Sequence, residues 1–282
     1  MAERGGIVAA AMIPGMPQLL ADDPAPSWKD LRVGVEQVGQ RFQDVGVETV
    51  LLLSTQWFTV LGHQFQLDPN PRGKRTDENW YAYDYGRLSY DLRMDTELTE
   101  HWLSLTRDAG LQTRRTLYEG FPIDTGTVVA SVLLDPGRRF TLAEVSCNLY
   151  AKVESLSTIG RTGVAAATAV GRRIGAVAVT GLSAGLTQRW ISPNEDAIID
   201  PAHDKWNRRV LDALVHGQLE EALSMREAFA REAAADSQFR ALAFLAGTGA
   251  VGGPAELLAY GPVWGTGAAV LHWSRPPARE DN

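Results

Sequence analysis

Residues 50–57 read Val-Leu-Leu-Leu-Ser-Thr-Gln-Trp, a short apolar run that ends in polar and aromatic side chains. Such a run predicts a strand buried on both faces, as in a parallel sheet covered by helices. Because open α/β sheets bind ligands at the carboxyl ends of their strands, the Ser-Thr-Gln-Trp segment is a candidate site. Similar runs predict further strands at residues 6–12, 58–67, 88–92, 141–147, 176–180 and 268–273.

Helical signals alternate with these strands. Ser27 is the predicted N-cap of a first helix, and Asp95 that of a second, which ends at Ala109 before Gly110. The first helix has an apolar face made of Leu31, Val35, Val38 and Phe42. Consecutive helices are predicted at residues 205–215, 219–233 and 239–245, and a solvated polar loop at residues 68–78.

This alternation predicts the α/β class, with a central mixed β-sheet flanked by helices in a sandwich around one core. No repeat with a fixed period interrupts the chain. We therefore expect a single domain over residues 1–282.

Composition narrows the function classes. The chain has 282 residues, 45% of them hydrophobic, and a net charge of −7, which is typical of a soluble globular protein. Without a cluster of Lys and Arg, neither a nucleic acid nor an anionic membrane is an expected partner. The single cysteine, Cys147, excludes an intrachain disulfide and favours a cytoplasmic location. No apolar run approaches the ~20 residues that span a bilayer, and the N-terminus lacks the pattern of a signal peptide.

The common catalytic motifs are incomplete. Residues 265–267 do not extend to a Gly-x-Gly-x-x-Gly loop, and residues 181–185 miss the Gly-x-Ser-x-Gly elbow by one position. No two histidines have the spacing of a local metal site. The five are His63, His101, His203, His216 and His272.

Polar and aromatic residues follow several predicted strands, at residues 54–57, 120–127 and 260–267. Two interpretations remain open from these residues alone. They form a ligand site where strands end, or they are tight turns whose glycines and prolines serve backbone geometry.

Together with residues 77–81, 148–150 and 205–211, these segments resemble the class III extradiol ring-cleaving dioxygenases, a family that includes the catalytic subunit of protocatechuate 4,5-dioxygenase. The resemblance runs from about residue 12 to about residue 273 and implies that subunit's fold. Catalytic members bind Fe(II) through two histidines and a glutamate and use further histidines as acid, base and substrate-binding groups.

The chain departs from that pattern where the family has histidines. The resemblance places Met12, Gln56, Thr125 and Ala184 at those positions. Thioether and amide groups are poor Fe(II) ligands, and neither alanine nor threonine transfers protons near neutral pH. Glu256 lies near the position of the glutamate ligand. The resemblance therefore implies no catalytic residue and no metal in this chain.

Within the family, the chain most resembles the non-catalytic subunits of enzymes that open aminophenol rings. The implied function is that of a metal-free subunit in a hetero-oligomer that opens 2-aminophenol or a related aminophenol or catechol. Its implied partner is a catalytic, beta-type paralogue that holds Fe(II). The implied vestigial pocket consists of Pro14, Gln56, Trp57, Asp124, Thr125, Ser183 and Tyr260.

Two other functions stay open. In one, the site has been rebuilt and the chain is a stand-alone enzyme that uses His63 or His203. In the other, the chain is a metal-free module that binds an aromatic ligand or a protein, with Trp57, Tyr260 and Trp264 stacking on a ring. Core packing is the alternative role for these aromatic residues.

Overall fold

The computed structural model describes residues 5–75 and 88–274 of the chain. Within these ranges the strands are, in chain order, β1 (Gly6–Ile13), β2 (Thr49–Thr59), β3 (His63–Gln66), β4 (Arg72–Arg75), β5 (Leu88–Asp91), β6 (Thr113–Thr116), β7 (Thr141–Asn148), β8 (Arg173–Val179), β9 (Glu256–Val263) and β10 (Thr266–Ser274). Eight of them form one sheet in the order β6-β3-β7-β2-β8-β1-β10-β9, and β4 pairs with β5 in a second, small sheet.

The large sheet is mixed, as the sequence predicts. Its centre is parallel, since β2 pairs in parallel with both β7 and β8, and β8 pairs in parallel with β1. Antiparallel strands flank this centre, with β10 beside β1, β9 beside β10, and β3 beside β7. The carboxyl ends of β1, β2, β7 and β8 therefore meet at one edge of the molecule, where ligand sites are expected.

Helices cover both faces of the sheet. They are α1 (Pro26–Asp44), α2 (Thr96–Asp108), α3 (Thr125–Leu134), α4 (Val153–Ala169), α5 (Pro201–Val215), α6 (Leu219–Ser224), α7 (Arg226–Ala233) and α8 (Arg240–Gly247). Apolar residues of α1 and α3 pack on one face, and those of α2 and α4 to α8 pack on the other. The predicted sandwich is confirmed, because each face of the sheet is closed by its own helical layer.

The start of α1 differs from the prediction. The helix begins at Pro26 with Ala25 as its N-cap, and the Ser27 hydroxyl donates instead to the carbonyl of Pro262 at 3.3 Å. Proline suits the first helical position because its φ is preset and its missing N–H needs no partner there. Ser27 is therefore not the cap, although the apolar face predicted for this helix is fully buried.

The predicted ends of α2 are confirmed. Asp95 Oδ1 accepts a hydrogen bond from Leu98 N at 3.0 Å, as an N-cap does. Gly110, which follows the C-cap, has φ +88°, a conformation that favours glycine. Asp95 Oδ2 also accepts from Arg172 Nε at 3.0 Å, so the cap residue ties α2 to the start of β8.

Several predicted boundaries are wrong. The strand predicted at residues 58–67 is two strands, because Gly62, with φ +69°, turns the chain between β2 and β3. The helix predicted at residues 219–233 is two helices, α6 and α7. The loop predicted at residues 68–78 contains β4, while residues 76–78 and the segment 77–81 lie outside the described residues.

Hydrophobic periodicity does not predict α4, β6 or β9, which the structure contains as well. Helix α4 is rich in small residues and Thr, which blurs its apolar stripe, and β6 is a polar strand at the sheet edge. No helix in residues 5–75 or 88–274 is long and apolar enough to cross a membrane.

Candidate functional site at the carboxyl ends of the central strands

Strand β2 contains a large bulge at the sequence Thr-Gln-Trp. Ser54 pairs with Ser146 of β7, yet the next pair joins Phe58 to Cys147, so residues 55–57 have no counterpart on β7. Bulges of this kind redirect side chains and are frequent beside active sites. The bulge turns residues 55–57 toward the ends of the neighbouring strands.

The Gln56 side chain contacts the segment that follows β1. Its Nε2 donates to the carbonyl of Gly15 at 3.0 Å. A Cβ atom at Gly15 would lie 2.5 Å from the Cα of Gly126 and 3.3 Å from Gln56 Nε2. The space between Gly15, Gln56 and the start of α3 is therefore filled by protein.

Met12 is not the residue opposite Gln56. Strand β1 extends to Ile13, and Met12 lies within it, fully buried in the core layer that faces α4 and α8. The residue beside Gln56 is Gly15, which has no side chain. The sequence predicts the extent of β1 but not the path of the chain after it.

The close approach of Gly15 to Gly126 can be tested by adding a methyl group at Gly15. We expect Gly15→Ala to lower the free energy of unfolding by about 1–3 kcal/mol, because the added methyl group overpacks a backbone contact. Gly252→Ala is the matched control, since a Cβ at Gly252 meets nothing within 4 Å. Urea unfolding of both variants measures the difference. Equal stability of the two would show that the Gly15 contact is not tight.

Asp124 holds the start of α3 and the end of β2 together. Its Oδ1 accepts from Ser54 Oγ at 2.6 Å and from Thr127 N at 3.1 Å, so it is the N-cap of α3. The Asp-Thr-Gly segment thus has a clear structural role. The sequence predicted Asp124 as a pocket residue. In the structure Ser54 links it to Gln56, because Gln56 N donates to Ser54 Oγ. Gly126 lies between Asp124 and Gly15.

A second carboxyl group, Glu144 of β7, lies against Asp124. Thr127 Oγ1 donates to Glu144 Oε1 at 2.6 Å, while Glu144 Oε2 and Asp124 Oδ2 are enclosed and receive no donor from the described residues. Burial, and then the negative charge of Asp124, raise the pKa of Glu144 well above its ordinary value. One proton on Glu144, donated to Asp124, satisfies both orphan oxygens. A glutamate inside an otherwise apolar strand is the sequence pattern that could have indicated this carboxyl pair, and the predicted pocket did not include it.

Thr125 is the first residue of α3, and its side chain contacts a residue of the small sheet. Its Oγ1 accepts a hydrogen bond from Arg75 Nε at 3.2 Å. Arg75 ends β4, which belongs to the small sheet. A guanidinium group therefore lies beside Thr125, the residue that the resemblance places at a family histidine position.

Ser183 and Ala184 form a second group of contacts. Ser183 Oγ accepts from Asn207 Nδ2 at 2.9 Å and from Gly267 N at 3.1 Å. The side chains of Ser183 and Asn207 are both buried. Ala184 is exposed, and its N–H donates to the carbonyl of Ala234. These contacts fasten the loop after β8 to α5 and β10, which is a structural role.

Tyr260 joins this second group rather than the first. Its hydroxyl donates to Asp204 Oδ1 at 2.5 Å, and Arg208 lies over its ring at 5.1 Å. Burial, and then the hydrogen bond to Asp204, raise its pKa. Tyr260 therefore packs against α5, as Ser183 does, whereas Gln56, Asp124 and Thr125 lie where the end of β2 meets the start of α3.

Aromatic residues near the strand ends pack on one another. Trp57 is buried against Phe121 at a centroid distance of 6.1 Å, and Phe121 lies 6.4 Å from Tyr118. Trp264 lies 6.1 Å from Trp190. These contacts fit the core-packing interpretation for Trp57, whereas Trp264 is half-buried against an exposed Trp190.

Asp236 also lies at this edge, although no sequence pattern predicts it as a site residue. Its Oδ2 accepts from Thr55 Oγ1 at 2.7 Å, from Thr180 Oγ1 at 3.0 Å and from Gly181 N at 2.8 Å, which joins the ends of β2 and β8. The backbone around it is strained. Positive φ angles occur at Ala234, Ser237, Gln238 and Phe239. No local sequence pattern singles out Asp236, because its partners come from distant parts of the chain.

The comparisons with known proteins bear on this edge of the sheet. A family model described as the catalytic LigB subunit of aromatic ring-opening dioxygenase matches residues 10–270. The chain belongs to the LigB family. The match covers every element that contributes to the strand ends.

Two curated relatives of this LigB chain come from a Pseudomonas species. The 2-aminophenol 1,6-dioxygenase alpha subunit is 31% identical over 272 residues, covering 95% of this chain and 99% of the relative. The beta subunit of the same enzyme is 26% identical over 293 residues, covering 96% and 94%. Both alignments therefore span nearly the full length of each protein.

A solved structure supports the fold. The uncharacterized protein JW3007 of Escherichia coli K12 superposes with a TM-score of 0.66 at 14% identity, covering 95% of this LigB chain and 100% of that one. This likeness concerns the architecture only.

The residues at the strand ends do not fit the iron that LigB-type ring-opening chemistry implies. A facial Fe(II) site needs two imidazoles and a carboxylate, whereas Gly15, Gln56 and Thr125 offer a backbone carbonyl, an amide and a hydroxyl. In residues 5–75 and 88–274 no three His, Cys, Asp or Glu side chains are grouped to hold a metal ion. No reaction step through iron is derived for this chain.

Glu256, the residue near the predicted third ligand position, lies elsewhere. It begins β9 and forms two hydrogen bonds with the Arg41 guanidinium, at 2.5 and 2.8 Å. The other end of β9, at Val263, pairs with Thr266 and lies at the edge where the central strands end. Glu256 is therefore held by an ion pair with α1 and does not complete a site with Gln56.

The two histidines of the rebuilt-site hypothesis lie on different elements. His63 is buried on β3, beyond β7 from β2, and burial lowers its pKa to about 4. His203 lies in the first turn of α5 beside Gly185. The structure does not bring them together.

Proposed function

We propose that this chain is a non-catalytic, metal-free subunit of a heteromeric class III extradiol dioxygenase in the cytoplasm. The enzyme would open the ring of 2-aminophenol or of a related aminophenol or catechol. Fe(II) would be held by a paralogous, beta-type subunit, which this chain stabilises. In this view the chain is a pseudoenzyme that keeps the fold of its catalytic partner.

One observation carries the proposal. Gln56, which follows the buried strand β2, donates to the backbone carbonyl of Gly15, and Gly15 packs on Gly126 at the start of α3. Protein atoms thus fill the space between Gly15, Gln56 and the start of α3. This filled space, with an amide at Gln56, supports a structural role over a catalytic one.

The named relatives support a partner of the same fold. Two subunits of one enzyme, alpha and beta, both align with this chain over nearly their full lengths, and the alpha subunit is the more similar of the two. A chain of the alpha type is expected to work beside a chain of the beta type.

An exposed apolar surface is available for such a partner. We call it the hairpin patch, and it consists of Phe58, Val60, Leu61 and Tyr150. The first three lie at the turn between β2 and β3, and Tyr150 is next to them because Leu149 N donates to the carbonyl of Thr59 at 2.9 Å. Grouped exposed apolar side chains are typical of protein–protein interfaces.

Coexpression with the beta-type paralogue tests the proposal. We expect the two chains to copurify in a fixed ratio and oxygen uptake with 2-aminophenol to require both chains. We also expect Phe58→Asp to weaken the complex at least about tenfold, because a charge would be buried at the interface. Val45→Asp, at an exposed residue after α1, is the matched control.

Two outcomes would contradict the proposal. One is ring opening by this chain without a partner. The other is separate elution of the two chains at concentrations where each is folded. If the complex forms but Phe58→Asp and Val45→Asp behave alike, the subunit role stands and the hairpin patch is not its interface.

A further inference from the structure

Arg240, the first residue of α8, is an almost fully buried cation. Only 8% of the residue is exposed, and no carboxylate of the described residues forms an ion pair with it. Its Nε donates to the carbonyl of Ala151 at 3.1 Å and its Nη1 to the carbonyl of Ser237 at 3.0 Å. Both acceptors are neutral. Buried cations in proteins are usually paired with an anion, so the charge of Arg240 calls for a partner.

The third nitrogen of this guanidinium group is free. Arg240 Nη2 donates to none of the described residues and is not enclosed, so its N–H groups have surface that a ligand can reach. In the planar guanidinium group Nη2 shares an edge with Nε, which places it on the same side as Ala151. The free donor therefore faces the chain segment that leads into α4.

The start of α4 also offers unused donors. The helix has 17 residues, and its N-cap, Lys152, provides no side-chain hydrogen bond. Within residues 5–75 and 88–274, neither Val153 N nor Glu154 N has an acceptor. The first N–H groups of a helix and the positive end of its dipole attract anions. Ala151, which accepts from Arg240, directly precedes the N-cap, so both sets of donors lie at one place.

The surrounding charges also favour an anion. Burial, and in addition the charge of Arg226, lower the pKa of Arg240. Arg226 pairs only with its exposed neighbour Glu227, at 3.4 Å. The nearby carboxylate of Asp236 already accepts hydrogen bonds from four donors, and Glu154 is exposed. The described residues therefore leave a local excess of positive charge around Arg240.

We propose that a small oxyanion, a carboxylate or a phosphate, binds between Arg240 Nη2 and the free N–H groups at the start of α4. A negatively charged oxygen matches both kinds of donor, and charge-assisted hydrogen bonds are the strong ones. The site follows β7 at the edge where the central strands end, as ligand sites of open α/β sheets do. It uses neither Gln56 nor Thr125, and it does not depend on the proposed subunit role.

Titration of the ¹⁵N-labelled full chain at pH 7 with sodium phosphate and with sodium acetate tests the site. Sodium chloride is exchanged for the added salt, so that the ionic strength and general screening stay constant. We expect saturable amide shifts centred on residues 151–155 and 237–241, with the largest at Val153 or Glu154. Saturation by either salt supports the inference, and the salt with the lower dissociation constant distinguishes a phosphate ligand from a carboxylate.

Two variants remove the two kinds of donor separately. Arg240→Gln removes the charge and should raise the dissociation constant at least about tenfold. Arg161→Gln, at an exposed arginine later in α4, is the matched control and should leave it nearly unchanged. Should Arg240→Gln fold poorly, Val153→Pro removes one helix N–H and should raise the dissociation constant at least about threefold. Proline fits there because Val153 is the first helical residue and Lys152, with φ −67° and ψ 153°, is extended, as a residue before proline is.

Shifts that stay linear in salt concentration, or that spread over the exposed Lys and Arg residues of the whole surface, would overturn the inference. So would equal effects of Arg240→Gln and Arg161→Gln, because that result would assign the binding to general charge. Native affinity in a folded Val153→Pro variant would overturn it as well, since the start of α4 would then take no part.

Discussion

Reconstituted anaerobically with Fe(II) and desalted, the purified chain should retain less than about a tenth of an equivalent of iron, because an amide, a hydroxyl and a backbone carbonyl do not replace imidazole and carboxylate ligands. Gln56, Thr125 and Gly15 are the groups in question. Bound iron is measured by elemental analysis. We expect this to be the largest functional difference between the chain and a catalytic member of its family.

The beta-type paralogue, treated in parallel, is the control and should retain close to one equivalent. If instead this chain binds close to one equivalent, and His63→Ala or His203→Ala abolishes the binding, the subunit proposal fails. The chain would then be an enzyme with a relocated site, as the rebuilt-site hypothesis requires.

The second large effect concerns pH and the carboxyl pair of Asp124 and Glu144. Because the pKa of Glu144 is raised in the folded chain, the folded state keeps a proton that the unfolded state releases above the ordinary pKa of 4.5. The stabilisation from this proton is fully present below pH 4.5 and is lost as the pH rises toward the folded-state value. The free energy of unfolding should fall by about 1.4 kcal/mol per pH unit in this window from Glu144 alone.

Glu144→Gln removes this dependence while keeping the hydrogen bonds, since its amide can donate to Asp124 and accept from Thr127. Urea unfolding between pH 5 and pH 9 should therefore give a flatter profile for Glu144→Gln than for the native chain. Glu119→Gln, at an exposed glutamate, is the control and should leave the slope unchanged. A Glu144→Gln profile parallel to the native one would mean that Glu144 is ionised in the folded chain.

Burial could be predicted residue by residue where one face dominates. The apolar face of α1 and the strands β1, β2, β7, β8 and β10 follow from hydrophobic periodicity, which encodes which side chains leave water. Periodicity failed for β6 and β9. Their alternation is weak because they lie at the edges of the sheet, where burial is partial.

The candidate site was predicted in its segments but not in its contacts. Residues 54–57 and Asp124 lie at the strand ends, as expected. Gly15, Glu144 and Asp236 were missed, since each acts through a partner from a distant part of the chain. The residue facing Gln56 depends on the path of the chain after β1, and a linear pattern does not contain that path.

The sequence by itself determined the class of fold and its two helical layers. Those properties depend on residue type and spacing, which can be read along the chain. Only the tertiary structure decided that the bulge at residues 55–57 closes on Gly15, that Asp124 meets Glu144, and that Arg240 lies beside the start of α4. Hydrophobic burial selects which residues leave water, whereas the pairing of buried polar atoms is set by which strands and helices pack side by side.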